Sequence, residues 1–139
     1  MKYVIVYWSR FGNNRKIAVH LETLLKPKGE VITLVAADSV KLPQADVYVF
    51  SAAAERFSIQ EDMKKLMSGL RGMDGKKYVL INTHALGFKN WLGRMNKLLA
   101  KSGLTKLAET DFRVGEGTKE GNGLPQGWEK KLEEFANRI

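Results

Sequence analysis

The sequence predicts an α/β fold built around a parallel β-sheet. Short runs of β-branched and aromatic residues alternate with longer segments whose apolar residues recur at helical spacing, and this alternation is typical of βαβ units. Five such runs in 139 residues leave about 28 residues for each unit, close to the ~30 residues of a βαβ module. No internal repeat, low-complexity tract or linker interrupts the pattern, so we expect a single domain over residues 1–139.

Five segments are the strand candidates. In chain order they are Tyr3–Trp8, Val31–Ala36, Val47–Ala53, Tyr78–Thr83 and Ala108–Val114. The first four are almost continuously apolar, which predicts strands covered on both faces. The fifth alternates apolar residues with Glu109, Asp111 and Arg113, so we expect an edge strand with one wetter face.

Four apolar stripes at helical spacing predict the helices between and after these strands. The stripes run from 17 to 25, from 59 to 70, from 91 to 99 and from 128 to 139. Ser58 followed by Glu61 has the pattern of a capping box and predicts the start of the second helix. Gly103 predicts the end of the third. We interpret the aromatic and Met residues of the stripes as core packing.

The composition excludes several kinds of chemistry. The 15.7 kDa chain contains no Cys, which rules out thiol catalysis, Cys-ligated zinc and iron–sulfur clusters. The apolar run at the start is interrupted by Ser9 and Arg10 without a small-residue cleavage site, which favours a first strand over a signal peptide. No apolar stretch approaches the ~20 residues that cross a bilayer. We therefore expect a soluble, cytoplasmic protein without membrane association.

The basic residues are concentrated in one third of the chain. The formal net charge is +8, yet the stretch from Lys64 to Lys106 holds ten basic residues and one acidic residue, Asp74, which gives +9. The ten are Lys64, Lys65, Arg71, Lys76, Lys77, Lys89, Arg94, Lys97, Lys101 and Lys106. Such a stretch is either a docking surface for an anionic partner or a solvated outer face.

The loop after the first strand has the composition of an anion site. Ligands of open parallel sheets bind outside the carboxyl ends of the strands, and Ser9-Arg10-Phe11-Gly12-Asn13-Asn14 joins such an end to a helix. Gly12 permits a tight turn, and short polar residues beside a helix N-terminus suit a phosphate. Neither GxxxxGK[ST] nor GxGxxG is present here, which argues against nucleotide triphosphate hydrolysis. The alternative is an ordinary turn with Asn as the helix N-cap.

A hydrophobic strand, Ser-x-Phe-Gly-Asn-Asn and an amphipathic helix together resemble the flavodoxin family, whose phosphate loop has the form [ST]-x-[TSYF]-G-N-T. The resemblance extends over essentially all 139 residues, in the short-chain form without an insertion in the fifth strand. It implies a three-layer, doubly wound, five-stranded parallel sheet in the order 2-1-3-4-5, with FMN between strands 1 and 3. It also implies that the FMN phosphate is held by Ser9, Arg10, Phe11, Gly12, Asn13 and Asn14. Asn14 stands where the family usually has Thr.

The resemblance assigns two further loops to the flavin ring. After the third strand, Ser51, Ala52, Ala53 and Ala54 replace a common Ser-Pro-Thr sequence, and Phe57 either lies against the ring or packs on the helix that follows. After the fourth strand, the resemblance implies that Asn82, Thr83, His84, Gly87 and Phe88 border the flavin. A lone His such as His84 is either a structural hydrogen-bonding residue or a functional one.

The resemblance implies an FMN-binding electron-transfer protein, with no catalytic side chain and no metal ligand. Two alternatives stay open, an FMN-dependent NAD(P)H reductase acting on a small acceptor and a flavodoxin-fold binding module that has lost FMN. A response-regulator receiver is excluded because Ser51 stands where its acidic residue is needed. Placed on this fold, the basic 64–106 surface predicts an acidic redox partner protein. Nucleic acid is an unlikely ligand, since aromatic residues are not interleaved with the basic ones.

Overall fold

The structure is a computed structural model that describes residues 1–37, 40–55, 58–85, 90–115 and 123–139, with only the backbone of Glu55. Its strands are β1 (Lys2–Tyr7), β2 (Glu30–Val35), β3 (Val47–Glu55), β4 (Ser58–Ile59), β5 (Lys77–His84) and β6 (Thr105–Arg113). Its helices are α1 (Asn13–Leu25), α2 (Glu61–Gly69), α3 (Trp91–Leu98) and α4 (Trp128–Ala136), and a 3-10 turn (Lys26–Lys28) follows α1. None of these described helices is long and apolar enough to span a membrane.

The five long strands form a parallel sheet in the order β2-β1-β3-β5-β6. If the two-residue β4 is set aside, this is the predicted order 2-1-3-4-5. The chain moves outward from β1 to β2 and then returns to the other side of β1 with β3. The strand order therefore reverses between β1 and β3, where the carboxyl ends of open α/β sheets form a ligand crevice.

Helices cover both faces of the sheet, so the predicted three layers are confirmed. One face packs on α1 and α4 through buried side chains that include Ile17, Leu21 and Phe135. The other packs on α2 and α3, with Met63 and Met95 fully buried among the strand residues. The Met and aromatic side chains of the predicted stripes thus lie mainly in the core, as helix-face periodicity suggests.

One strand prediction is wrong. The apolar run around Val31 predicts a strand covered on both faces, but every residue of β2 is partly or fully exposed, and Val35 is 58% exposed. The cause is position, because β2 pairs with β1 alone at the margin of the sheet. The opposite edge agrees with expectation, since β6 is a marginal strand in which Phe112 is buried.

The predicted capping box is also wrong. Ser58 belongs to β4, which turns back antiparallel onto the end of β3 with Ala54 opposite Ile59. Gln60 caps α2 instead, since its Oε1 accepts a hydrogen bond from the Met63 N–H at 3.0 Å. The Gln60 N–H in turn donates to the Ala53 carbonyl at 3.0 Å. The sequence pattern was offset by two residues because the hairpin uses Ser58 before the helix begins.

Candidate functional site

The carboxyl ends of β1, β3 and β5 meet at one edge of the sheet. Tyr7 lies opposite Ser51, and Ala53 lies opposite Thr83, so the three strands end at similar heights. The Trp8 N–H continues the pairing by donating to the Ser51 carbonyl at 3.2 Å. The three loops assigned from the sequence therefore begin side by side.

The first loop enters α1 through a left-handed glycine. Gly12 is the N-cap with φ of 87°, a conformation that side chains disfavour. The predicted alternative of an Asn N-cap is wrong, because Asn13 and Asn14 are already helical. The Lys16 N–H donates to the Gly12 carbonyl at 3.0 Å, whereas the N–H groups before it have no acceptor within the helix.

This helix N-terminus has the chemistry of an anion site. Its first turn contains no acidic residue and no side-chain cap bonds to it in the described part of the chain, while Arg15 and Lys16 are exposed. The Ser9 Oγ is buried and has no hydrogen-bond partner among the described residues. An unpartnered hydroxyl beside free helical N–H groups can donate to a phosphate oxygen. Arg10 stacks on Trp8 at 5.4 Å, and Phe11 is 38% exposed.

Asn14 joins α1 to the two central strands. Its side chain is buried, its Oδ1 accepts from Ser51 Oγ at 2.9 Å, and its Nδ2 donates to Thr83 Oγ1 at 3.1 Å. We call these three residues the amide cluster. Both polar atoms of the Asn14 side chain are thus engaged inside the protein, but Nδ2 carries a second N–H besides the one donated to Thr83. The expectation that the Asn14 amide donates to a phosphate stays a prediction.

Asn13 ties a later segment to the first loop. Its Oδ1 accepts from the Gly123 N–H at 3.1 Å, and the Gly115 N–H donates to the Gly123 carbonyl at 2.8 Å. Residues 116–122 lie outside the described residues, but both ends of that segment are held together. We call the Gly115–Gly123 pairing the neck. It stands next to the first turn of α1.

The second predicted loop is mostly strand. Ser51 and Ala52 are fully buried, Ala53 and Ala54 are half-buried, and β3 continues to Glu55 before the chain returns as β4. The loop prediction failed here because the strand extends two residues beyond its apolar run. Phe57 lies outside the described residues.

The third predicted loop also begins within a strand, and it meets an acid that the sequence prediction missed. Asp111 Oδ1 accepts from Asn82 Nδ2 at 3.0 Å and lies 3.0 Å from His84 Nδ1. We call these three residues the carboxylate cluster. Because a carboxylate only accepts, the proton of this contact belongs to Nδ1, and Nε2 is the remaining ring nitrogen. The alternation of β6 was the available signal, since it places Asp111 beside Asn82.

The carboxylate cluster is less completely satisfied than the amide cluster. Asn82 is fully buried, yet its Oδ1 has no partner among the described residues. The side chains of His84 and Asp111 are 11% and 37% exposed. Lys131 donates to the Asp111 carbonyl and lies 4.5 Å from the Phe112 ring. Gly87 and Phe88 lie outside the described residues, and in the described part no His, Asp and Glu side chains are grouped as a metal site.

Comparison with solved structures identifies the fold. Flavodoxin 2 from Bacillus cereus is 15% identical, with 99% of this chain and 97% of that chain covered and a TM-score of 0.76. The flavodoxin of Streptococcus pneumoniae TIGR4 is 17% identical over 99% and 97%, with a TM-score of 0.74. A Fusobacterium nucleatum flavodoxin variant bound to flavin mononucleotide is 14% identical over 98% and 93%, with a TM-score of 0.70.

Neither the protein-family models nor the curated proteins gave a match to this sequence. The structural similarity therefore shows the fold, which is flavodoxin-like, and the chemistry has to be argued from the site itself.

Proposed function

We propose that this protein is a flavodoxin-like electron carrier that binds FMN at the carboxyl edge of β1, β3 and β5. The observation that supports this most directly is the first turn of α1, which follows a left-handed glycine and whose N–H groups have no acceptor within the helix, together with the Ser9 hydroxyl, which has no partner among the described residues. The solved relatives include one described as bound to FMN. Ligands of doubly wound sheets bind at this edge.

The residues of the first loop fit a phosphate group. A phosphate monoester carries nearly two negative charges at neutral pH, and the α1 N-terminus offers N–H donors, a hydroxyl and nearby basic side chains without an acidic one in its first turn. In the proposal, Ser9 through Asn14 surround the phosphate, with Asn13 and Asn14 contributing their backbone N–H groups.

The remaining assigned residues would border the flavin ring. FMN, when bound, supplies the redox chemistry, and the protein tunes it by stacking, hydrogen bonding and charge. The half-buried Ala53 and Ala54 leave the ring edge unobstructed by large side chains, while the fully buried Ala52 would lie behind them. His84 keeps Nε2 for a contact outside the carboxylate cluster. Phe57, Gly87 and Phe88 belong to the same proposal through their position in the loops. No residue is assigned as a nucleophile or metal ligand.

The first test is binding of FMN measured by quenching of its fluorescence. We expect micromolar or tighter binding and much weaker binding of riboflavin, which lacks the phosphate. Ser9→Ala should weaken FMN binding by about tenfold, since a hydrogen bond to a charged group contributes about 1.5 kcal/mol or more, and should leave riboflavin unchanged. Ser68→Ala, which changes an exposed serine on α2, is the matched control. Absence of FMN binding at micromolar concentrations would reject the proposal.

A reductase is the second candidate, and the half-buried Ala53 and Ala54 favour it because they would leave a flavin face accessible to a nicotinamide. Oxidation of NADPH by the FMN-loaded protein separates the two functions. A carrier should show almost no turnover without a partner enzyme, whereas a reductase should turn over with a small acceptor alone. In either case we propose that an acidic redox partner docks on the basic 64–106 surface.

A further inference from the structure

The fold divides the basic 64–106 stretch between two ends of the sheet. Helices that connect parallel strands run back from the carboxyl edge to the amino edge, so α2 and α3 both start at the carboxyl edge. Lys77 is the first residue of β5 and Lys106 the second residue of β6, which places them at the amino edge. Lys106 pairs with Glu109 there, and Arg71 donates to the carbonyls of Ser68 and Leu70.

Three other basic residues of the stretch border a groove on the face of the sheet that α2 and α3 cover. Ser58, Ile59, Lys64, Arg94, Lys97 and Leu98 line it, between β4, α2 and α3. Its floor is apolar, since Ile59 is buried and Leu98 half-buried, and its three basic side chains are exposed. Among the described side chains, no acidic one lines the groove, and neither Lys64 nor Lys97 has an ion-pair partner. We call this the basic groove.

Two contacts fix the position of the basic groove. Arg94 lies over the Trp91 ring at 5.1 Å, which holds its guanidinium at the rim. Ile59 pairs with Ala54 at the end of β3. An occupant of the groove would therefore lie beside the second loop of the site, where electron exchange with a bound flavin needs it to be.

We propose that the basic groove receives an acidic segment of a redox partner, with carboxylates on Lys64, Arg94 and Lys97 and one apolar side chain on Ile59 and Leu98. Charge complementarity supports this occupant, because opposite charges steer encounter and fix register while a central apolar contact excludes water. The redox identity of the partner rests on the proposed function. The binding chemistry of the groove does not.

The test uses a short fluorescein-labelled peptide rich in Asp and Glu with a central Leu, measured by fluorescence anisotropy with and without FMN. We expect binding that weakens steeply with salt. Lys64→Glu with Arg94→Glu should lower affinity by at least about tenfold, and the neutral Gln versions by less. Lys76→Glu with Lys77→Glu is the control, because it changes net charge equally at the other end of the sheet. It should lower affinity by less than about threefold.

Failure of the peptide to bind would overturn the proposal, and so would any of three further outcomes. Equal losses in the groove and control variants would show binding to net charge alone. If a peptide with Ser in place of Leu bound with the same affinity, the proposed apolar contact with Ile59 and Leu98 would be wrong. Tighter binding of a single-stranded oligonucleotide, lost in the same groove variants, would assign the groove to nucleic acid. Since the peptide is tested on apoprotein as well, failure to bind FMN would reject only the electron-carrier function, and failure to bind peptide only the docking site.

Discussion

The amide cluster and the carboxylate cluster lie at the same edge of the sheet but on opposite faces. Successive strand residues point to opposite faces, so Thr83 faces α1 while its neighbours Asn82 and His84 face α2 and α3. The amide cluster is neutral and buried, and its central residue uses both polar atoms of its side chain. The carboxylate cluster contains an acid and an imidazole, is partly exposed and leaves one buried oxygen unpartnered.

The difference separates two tasks at one edge. The amide cluster links residues 37 and 69 positions apart in the chain and so joins the end of the first loop to the starts of the second and third. The carboxylate cluster links only neighbouring strands, and its exposed side suits contact with a ligand. A buried polar group stabilises the fold only when its polar atoms have hydrogen-bond partners. We therefore expect the amide cluster to contribute more to folding.

Asn14→Leu should have the largest effect on stability. The change leaves the buried Ser51 and Thr83 hydroxyls without their partner, at about 1–3 kcal/mol for each unsatisfied group, so we expect the free energy of unfolding measured in urea to fall by about 2–6 kcal/mol. Adding Ser51→Ala and Thr83→Val should recover most of it, because replacing all partners removes the unpaired groups. Asn137→Ala on the exposed end of α4 is the control. No recovery in the triple variant would mean that packing, not hydrogen bonding, dominates.

Asp111→Ala should have a smaller effect, about 1–2 kcal/mol, because water can reach the partly exposed site and replace some of the lost contacts. The remaining cost comes from the buried Asn82 amide, which loses its acceptor. Urea unfolding measures the loss of stability, and Glu134→Ala, which removes an exposed carboxylate on α4, is the control. A loss as large as that of Asn14→Leu would erase the distinction between the clusters.

Two buried tyrosines outside both clusters should make the stability of the protein fall at alkaline pH, while leaving it unchanged at neutral pH. Burial raises the pKa of the Tyr48 and Tyr78 hydroxyls. Above an unfolded value of about 10, the unfolded chain loses these protons while the folded protein keeps them, so their contribution to stability is lost as pH rises. The urea midpoint should fall above about pH 10 and fall less in Tyr48→Phe. An equally steep fall in that variant would assign the alkaline loss to another group.

Apolar runs, helical stripes and the first loop are local patterns, so the sequence predicted the parallel sheet, and the resemblance carried by the first loop implied its strand order. The position of the site stays a prediction. It did not predict contacts between distant residues. Asn14 reads as a loop donor until β3 and β5 bring Ser51 and Thr83 to its amide, and Asp111 reads as a solvent-facing residue until it meets Asn82. The edge position of β2 was missed because the apolar composition of a strand does not show how many strands flank it. The Gln60 cap was missed because the capping-box pattern of Ser58 and Glu61 overlaps it in the sequence.

The neck has a consequence for how the chain tolerates change in length. Gly115 and Gly123 are hydrogen-bonded to each other, and Asn13 anchors Gly123 to the start of α1. Extra residues between 116 and 122 would therefore lengthen a segment whose ends are already joined, and each doubling of the length of a closed flexible segment costs only about 0.6 kcal/mol in closure entropy. The ends of this segment are held at the first turn of α1 and no described strand follows β6, so a reporter peptide inserted there would not separate any two strands of the sheet.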